Sequence, residues 1–249
     1  MKKIRLAITI GDPAGIGPEV TLKALQNMTE DKTIEILLIG PYHFWQAAGE
    51  MLNFSFELKK INLPAIATEM SQSIKVISIP DFEMESVMPG ISTPFTGRIA
   101  GQAIEYAVQL ALQKHVDAIV TAPIQKESLN QAGYHFPGHT EMLQSLTGSK
   151  SVKMIMYSPK LSTILISTHV AIQETAGWLT EANLLETIQM GVQFIQNLKK
   201  PPFRIAVAAY NPHAGEGGLF GSEEIKIIAP TIQKARQMGL PVEGPFSPD

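Results

Sequence analysis

The 249-residue sequence contains no cysteine. Disulfides, thiol nucleophiles and cysteine-ligated metal centres are therefore excluded, and the composition fits a cytoplasmic protein. Neither sign of charge dominates: 20 Lys and Arg against 23 Asp and Glu leave a net charge of −3. Without a basic block, nothing points to nucleic acid. No apolar run reaches membrane-spanning length. The opening MKKIRLAITIGDP sets two lysines before an apolar run, but the run is too short for a signal sequence, and Gly11-Asp12-Pro13 stops it. The GxGxxG order of a dinucleotide fingerprint and the GKS or GKT ending of a phosphate loop are also missing. There are no repeats or low-complexity tracts.

What remains is 45% hydrophobic and 17% charged, enough for one large or two modest domains with full cores. Strands are expected at Ile4 to Ile10, Ile34 to Ile39, Ile74 to Ile79, Asp117 to Thr121, Met154 to Tyr157, Leu161 to Ser167 and Phe203 to Tyr210. Helices are expected at Glu19 to Met28, Tyr42 to Met51, Gly97 to His115, Gly138 to Leu146, Thr180 to Leu198 and Ser222 to Met238. Pro230 should kink the last of these. Asn53 to Ser73 is poorly patterned. Asp81 to Phe95, with Pro89, Gly90 and Pro94, reads as a long functional or flexible loop. Alternating strands and helices give an α/β class with a largely parallel sheet. A change of character near Pro123 divides the chain into a first α/β lobe, 1–122, and a second, 123–249, with a cleft between them.

Chemistry concentrates in a few stretches. Asn211 to Gly221, NPHAGEGGLFG, follows a strand, so His213 sits on a loop at a strand's C-terminal end, where open α/β sheets put their ligands. Thr168-His169-Val170 ends another strand. Two imidazoles at equivalent strand ends suit a divalent metal, which ordinarily takes a third protein ligand. A glycine-rich turn with a surface histidine accounts for the first stretch taken alone, and a single core histidine is common; two at equivalent strand ends are less easily dismissed. Gly138-His139-Thr140-Glu141 opens a helix; with Thr140 as N-cap, free amides there favour an anion, although a capped helix with an exposed histidine explains it too. GDPAGIGPE, residues 11–19, is either a rigid strand-to-helix turn or a ligand contact. Ala122 to Ser128, APIQKES, places Lys126 and Glu127 after a strand end.

In order, GDPAGIGPE, APIQKES, GHTE, STHVA and NPHAGEGGLFG resemble the 4-hydroxythreonine-4-phosphate dehydrogenase family of vitamin B6 biosynthesis. The resemblance spans essentially the whole chain. It implies a two-lobed α/β/α sandwich resembling isocitrate dehydrogenase, with its active-site cleft between the lobes. It implies a homodimer with interface active sites, NAD or NADP, and a divalent metal (Zn, Mg or Co). The implied substrate is a small phosphorylated hydroxy-amino acid: 4-phosphooxy-L-threonine is oxidised to 2-amino-3-oxo-4-phosphooxybutanoate, which decarboxylates to 3-amino-2-oxopropyl phosphate. By the same resemblance, His169 and His213 are metal ligands, drawn together with ligands from both subunits, and His139 and Thr140 bind substrate.

The family's third metal ligand is a histidine beyond a GPxxxD motif, and here that motif, Gly244 to Asp249, ends the sequence. The resemblance thus supplies two of three metal ligands and omits a downstream lysine, asparagine and arginine used on the substrate. The expectation is a fragment or shortened form whose first lobe lacks its C-terminal completion, and a poor catalyst at this length. Alternatives are a dehydrogenase for threonate or erythronate 4-phosphate, an inactive truncated remnant, and, more remotely, a phosphate acyltransferase, which has no use for the paired histidines.

Overall fold

The computed structural model describes residues 3–28, 33–61, 73–79, 87–198 and 203–247. Contacts divide the chain into two units, Met1–Lys150 and Ser151–Asp249.

In the first unit, apolar runs too short for helices form a five-stranded parallel sheet. Its strands are β1 (Ile4–Thr9), β2 (Ile34–Ile39), β3 (Leu58–Ile61), β4 (Ile74–Ile77) and β5 (Ala118–Thr121), in the order β3-β4-β2-β1-β5. β3 lies in the stretch that carries little pattern in the sequence. Its LKKI is ambiguous locally and becomes a strand by pairing with β4 from Leu58↔Ile74 to Ile61↔Ile77. The C-terminal halves of β1 and β2 are buried. At the opposite end, Glu35 accepts from Arg5 Nε and from the buried Lys75 Nζ, both at 2.6 Å. Burial pushes the Glu35 carboxyl up, but the hydrogen bonds from Lys75 and Arg5 outweigh it and hold the group below its ordinary value.

Three helices connect these strands: α1 (Gly17–Asn27), α2 (Tyr42–Met51) and α3 (Pro94–Leu112). Thr93 caps α3 by accepting from the Thr96 N–H, while Thr96 Oγ1 accepts from the Thr93 N–H. The expected stripe on α3 is present: Ile99, Ala103 and Leu110 are buried and Tyr106 half-buried. Full burial of each large apolar side chain contributes about 1.5–3 kcal/mol. The expected loop 81–95 lies partly outside the described residues, and its end, from Pro94, is the first turn of α3.

The sequence places a lobe boundary at Pro123, whereas α4 (Lys126–Gln131) and α5 (His139–Thr147) fall in the first unit. The cause is on α3. Gly97 faces the Ser128 carbonyl so closely that a Cβ there would lie 2.1 Å from its oxygen, and a Cβ on Gly101 would lie 2.1 Å from the Tyr134 ring. Two glycines one helical turn apart thus cut a groove that seats α4 and Tyr134. Tyr134 donates to Glu105 at 3.0 Å.

The second unit holds β6 (Ile155–Met156), β7 (Thr163–Ile164), α6 (Thr175–Trp178), α7 (Glu181–Asn197), β8 (Ile205–Ala208), α8 (Ala229–Gln237) and β9 (Val242–Phe246). Thr180 caps α7 by accepting from the Asn183 N–H. Its apolar face, with Leu184 and Ile188, packs in one cluster with Val207, Ile228, Ile232 and Val242. β6 pairs antiparallel with β7, and β8 parallel with β9. The anticipated disturbance at Pro230 takes a definite form: Glu224–Ile228 is a π turn that runs directly into α8. A regular helix would drive the proline ring into the carbonyl four residues earlier, and the wider turn relieves that clash.

Candidate functional site

In the first unit, the loops after the adjacent strands β1 and β5 are tied together. The Asp12 N–H donates to the Pro123 carbonyl at 3.0 Å. The buried Asp12 carboxylate accepts from the Ala14 N–H at 2.9 Å and from Ser128 Oγ at 3.2 Å. For GDPAGIGPE, the rigid-turn reading therefore has direct support: each of these contacts is internal.

A few residues on, α5 starts at His139 behind Gly138, whose extended backbone (φ −176°) makes it the N-cap. Thr140 is thus not the N-cap that its chemistry suggests. It is the second helical residue, and its N–H belongs to the first-turn donors that lack intrahelical partners. His139 Nε2 and Glu141 Oε2 are both shut off from solvent and without a hydrogen-bond partner. Burial pushes the His139 imidazole below its ordinary value, which keeps it neutral at physiological pH. Two orphaned polar atoms beside first-turn amides mark a place that a polar ligand would satisfy. Glu141, present in GHTE, gave no signal in the sequence that its carboxylate would be sequestered.

In the second unit, His169 and His213 each stand five residues beyond a strand's last residue, β7 and β8 respectively. A single parallel sheet edge carrying both is not what forms, because β7 pairs with β6 and β8 with β9. What brings the two segments together is α7 and a hydrogen bond. Gly191 of α7 faces both Ile164 and Ile205, 3.7 and 3.2 Å from where its Cβ would stand. Asn183 Nδ2 donates to the Ile166 and Trp178 carbonyls. Tyr210, three residues before His213, lies 2.8 Å hydroxyl to hydroxyl from Thr175, six residues after His169.

Both histidines are exposed and both are left-handed, with φ of 57° at His169 and 51° at His213. The second belongs to a run: His213, Ala214, Gly215, Glu216 and Gly217 all have positive φ inside the tight turn Pro212–Gly218. Each non-glycine residue there costs roughly 1–2 kcal/mol. Such strain persists only where the surroundings enforce it, and it clusters at functional sites. The enforcing groups are Asn211 and Glu224. The Glu224 carboxylate accepts from the backbone N–H groups of Tyr210 (2.9 Å) and Asn211 (2.7 Å) and from Asn211 Nδ2 (2.9 Å). Burial pushes this carboxyl up, but the donors of Asn211 and Tyr210 outweigh it and keep it low. Sequence reasoning passed over Glu224, which reads as one polar residue in an amphipathic helix.

Imidazole suits zinc, cobalt and related cations, so His169 and His213 fit a share of such a site. Among the described residues, no group of three or more His, Asp or Glu side chains is placed to hold a metal by itself.

An α/β protein with a parallel sheet and histidines on strained strand-end turns belongs to a class that other proteins share. Over the whole chain, the fold matches a crystal structure of 4-hydroxythreonine-4-phosphate dehydrogenase from Klebsiella pneumoniae, with a TM-score of 0.88 at 37% identity, covering 100% of this chain and 76% of that one. The expected α/β/α class, that of isocitrate dehydrogenase, is the observed one. The family described as "Pyridoxal phosphate biosynthetic protein PdxA" matches residues 32–249, and the chain belongs to that family. Among curated relatives, D-threonate 4-phosphate dehydrogenase of Pectobacterium atrosepticum is 39% identical over 253 residues, covering 100% of this chain and 76% of its own length. The 4-hydroxythreonine-4-phosphate dehydrogenase of Trichlorobacter lovleyi is 36% identical over 255 residues, covering 99% and 74%.

Proposed function

We propose that this chain is an NAD(P)-dependent dehydrogenase for a phosphorylated four-carbon hydroxy acid, 4-phosphooxy-L-threonine in the first instance. The observation that carries the site is the pair of left-handed histidines on segments tied by the Tyr210–Thr175 hydrogen bond. His169 and His213 hold a divalent cation, and His139, Thr140 and the first-turn amides of α5 hold the substrate's polar end. When bound, the cation supplies Lewis-acid chemistry at the substrate alcohol, lowering its pKa and favouring departure of hydride.

The chain's own residues do the rest. His139, kept neutral by burial, can donate from Nε2–H to an anionic oxygen or, in the other tautomer, accept at Nε2 from a hydroxyl, in either case without adding charge. The α5 amides favour an anion through the helix dipole. A nicotinamide cofactor, when bound, would supply the hydride acceptor for the substrate carbinol carbon, with the hydroxyl proton released to water. The resulting 3-oxo acid loses carbon dioxide. Work in the cytoplasm, which a cysteine-free composition fits, is part of the same reading. A homodimer with interface sites completes the reading.

A second substrate, D-threonate 4-phosphate, is favoured by the higher identity to the Pectobacterium protein, 39% against 36% for the Trichlorobacter one. It differs by bearing a hydroxyl where the first carries an ammonium. Following reduction of NAD⁺ and NADP⁺ on each compound, with zinc, cobalt or magnesium added, decides between them. Turnover of either that disappears in His213→Ala supports the site. Turnover that survives both His169→Ala and His213→Ala removes it.

A further inference from the structure

We propose that Glu224 is the positioning residue for His213: its buried carboxylate clamps the strand end and so sets the left-handed turn that presents the imidazole. The proposal rests on the reading of His213 as a metal ligand.

Three observations carry it. Both carboxylate oxygens accept: the Tyr210 and Asn211 N–H groups donate to Oε1, and Asn211 Nδ2 donates to Oε2. Only a group that accepts on both oxygens fits such a set, and a carboxylate is the one side chain of this length that does. Next, the turn is built around the carboxylate. Gly215 is buried, and a Cβ there would lie 2.7 Å from Glu224 Oε2. Gly221 likewise leaves room for Asn211 Nδ2 and Glu223 Oε2, each 2.5 Å from where its Cβ would stand. Asn211 Nδ2 also donates to Glu223 at 2.7 Å, so the amide is gripped from two sides immediately before Pro212 and His213. Lastly, the π turn begins at Glu224 itself. The wider turn that accommodates Pro230 therefore starts at the residue that holds the strand end.

The clamp acts at a distance from any ligand. It fixes the backbone on the N-terminal side of the turn, and Gly215 fits against it on the other. Both anchors hold the turn in which His213 takes its left-handed backbone conformation. An imidazole already set for a cation loses less freedom on binding than one on a mobile loop.

The test is made on the full chain with Co²⁺ and Zn²⁺ as probes, measuring affinity by calorimetry and the cobalt absorption spectrum. Glu224→Gln keeps the shape but sets an amide NH₂ against a donor. It is expected to weaken metal affinity roughly 10–100-fold, as changes to groups supporting metal ligands do, and to alter the cobalt spectrum. Asn211→Asp and Glu223→Gln added to Glu224→Gln place one acceptor between two amide donors, reversing the contacts that Asn211 makes with Glu223 and Glu224, and should recover part of the affinity. Wild-type binding that depends on His213 but is unchanged in Glu224→Gln overturns the proposal and leaves the metal site standing. Binding that His213→Ala does not touch overturns the site reading itself. If Glu224→Gln loses affinity only in step with thermal stability, and adding Asn211→Asp and Glu223→Gln recovers neither, the carboxylate is merely structural and the proposal fails.

Discussion

The two units use the same backbone conformation for different ends. In the first, the described non-glycine residues with positive φ are Asn53 and Lys114. Each follows a helix, α2 or α3, and each is flanked by the bonds of a left-handed cap: Phe54 N–H to the Gly49 carbonyl and His115 N–H to the Leu110 carbonyl, both spanning five residues. In the second unit, such residues are His169, His213, Ala214 and Glu216, and none of them closes an α-helix. A left-handed residue at a helix end satisfies orphan carbonyls. One on a strand-end turn needs another cause, and at Pro212–Gly218 the Glu224 and Asn211 hydrogen bonds supply it. The cores differ in the same sense. The first unit packs β1, β2 and β4 around a set of fully buried side chains including Trp45. The second packs a smaller cluster, and the largest fully buried side chains among the described residues all belong to the first.

The largest expected effect breaks the second unit's function and spares its fold. His213→Ala should lower metal affinity and dehydrogenase turnover by at least ~100-fold, since losing a ligand exceeds the 10–100-fold cost of losing its support. Far-ultraviolet circular dichroism should be unchanged. The opposite pattern is expected of Gly97→Ala. Its Cβ meets the Ser128 backbone, which has no rotamer by which to give way. Urea unfolding should show a loss of about 3 kcal/mol, the upper end for overpacking, with metal affinity at His213 retained.

Tyr210→Phe sharpens the link between the two histidine segments. It removes the hydroxyl contact with Thr175 and should cost about 1 kcal/mol of stability, read as a lower urea midpoint, together with a weaker cobalt affinity.

The smallest effect is a pH slope. His139 has its folded pKa lowered by burial from 6.5. A group lowered on folding contributes stability that is present above its unfolded pKa and is lost as pH falls through the folded one. Stability should therefore decline below about pH 6.5, and His139→Gln should flatten that part of the curve in thermal scans taken across pH. An unchanged slope would place the titration elsewhere.

Much of the scaffold was readable residue by residue. Ile34 to Ile39 and Tyr42 to Met51 formed as their pattern predicts, because β-branched runs and helical stripes bury themselves by local periodicity. The family motifs, each weak, were legible by their order. Less legible was whatever depended on partners distant in sequence. LKKI became β3 through β4, and residues 123–150 joined the first unit through two glycines of α3. The N-cap of α5 fell to Gly138, since the extended backbone there decided what a threonine side chain could not.

By itself the sequence determined the α/β class, the absence of thiol chemistry and the position of both histidines just beyond strand ends. These follow from composition and from periods of two and 3.6 residues, which each segment carries within itself. Only the tertiary structure decided that both histidines would be left-handed, that α7 and a Tyr210–Thr175 hydrogen bond would hold their segments together, and that Glu224 would be sunk beneath the turn. The reason is physical. A strained turn or a buried carboxylate is unfavourable in isolation and exists because distant groups overcome its cost, and a local stretch of sequence does not contain those groups.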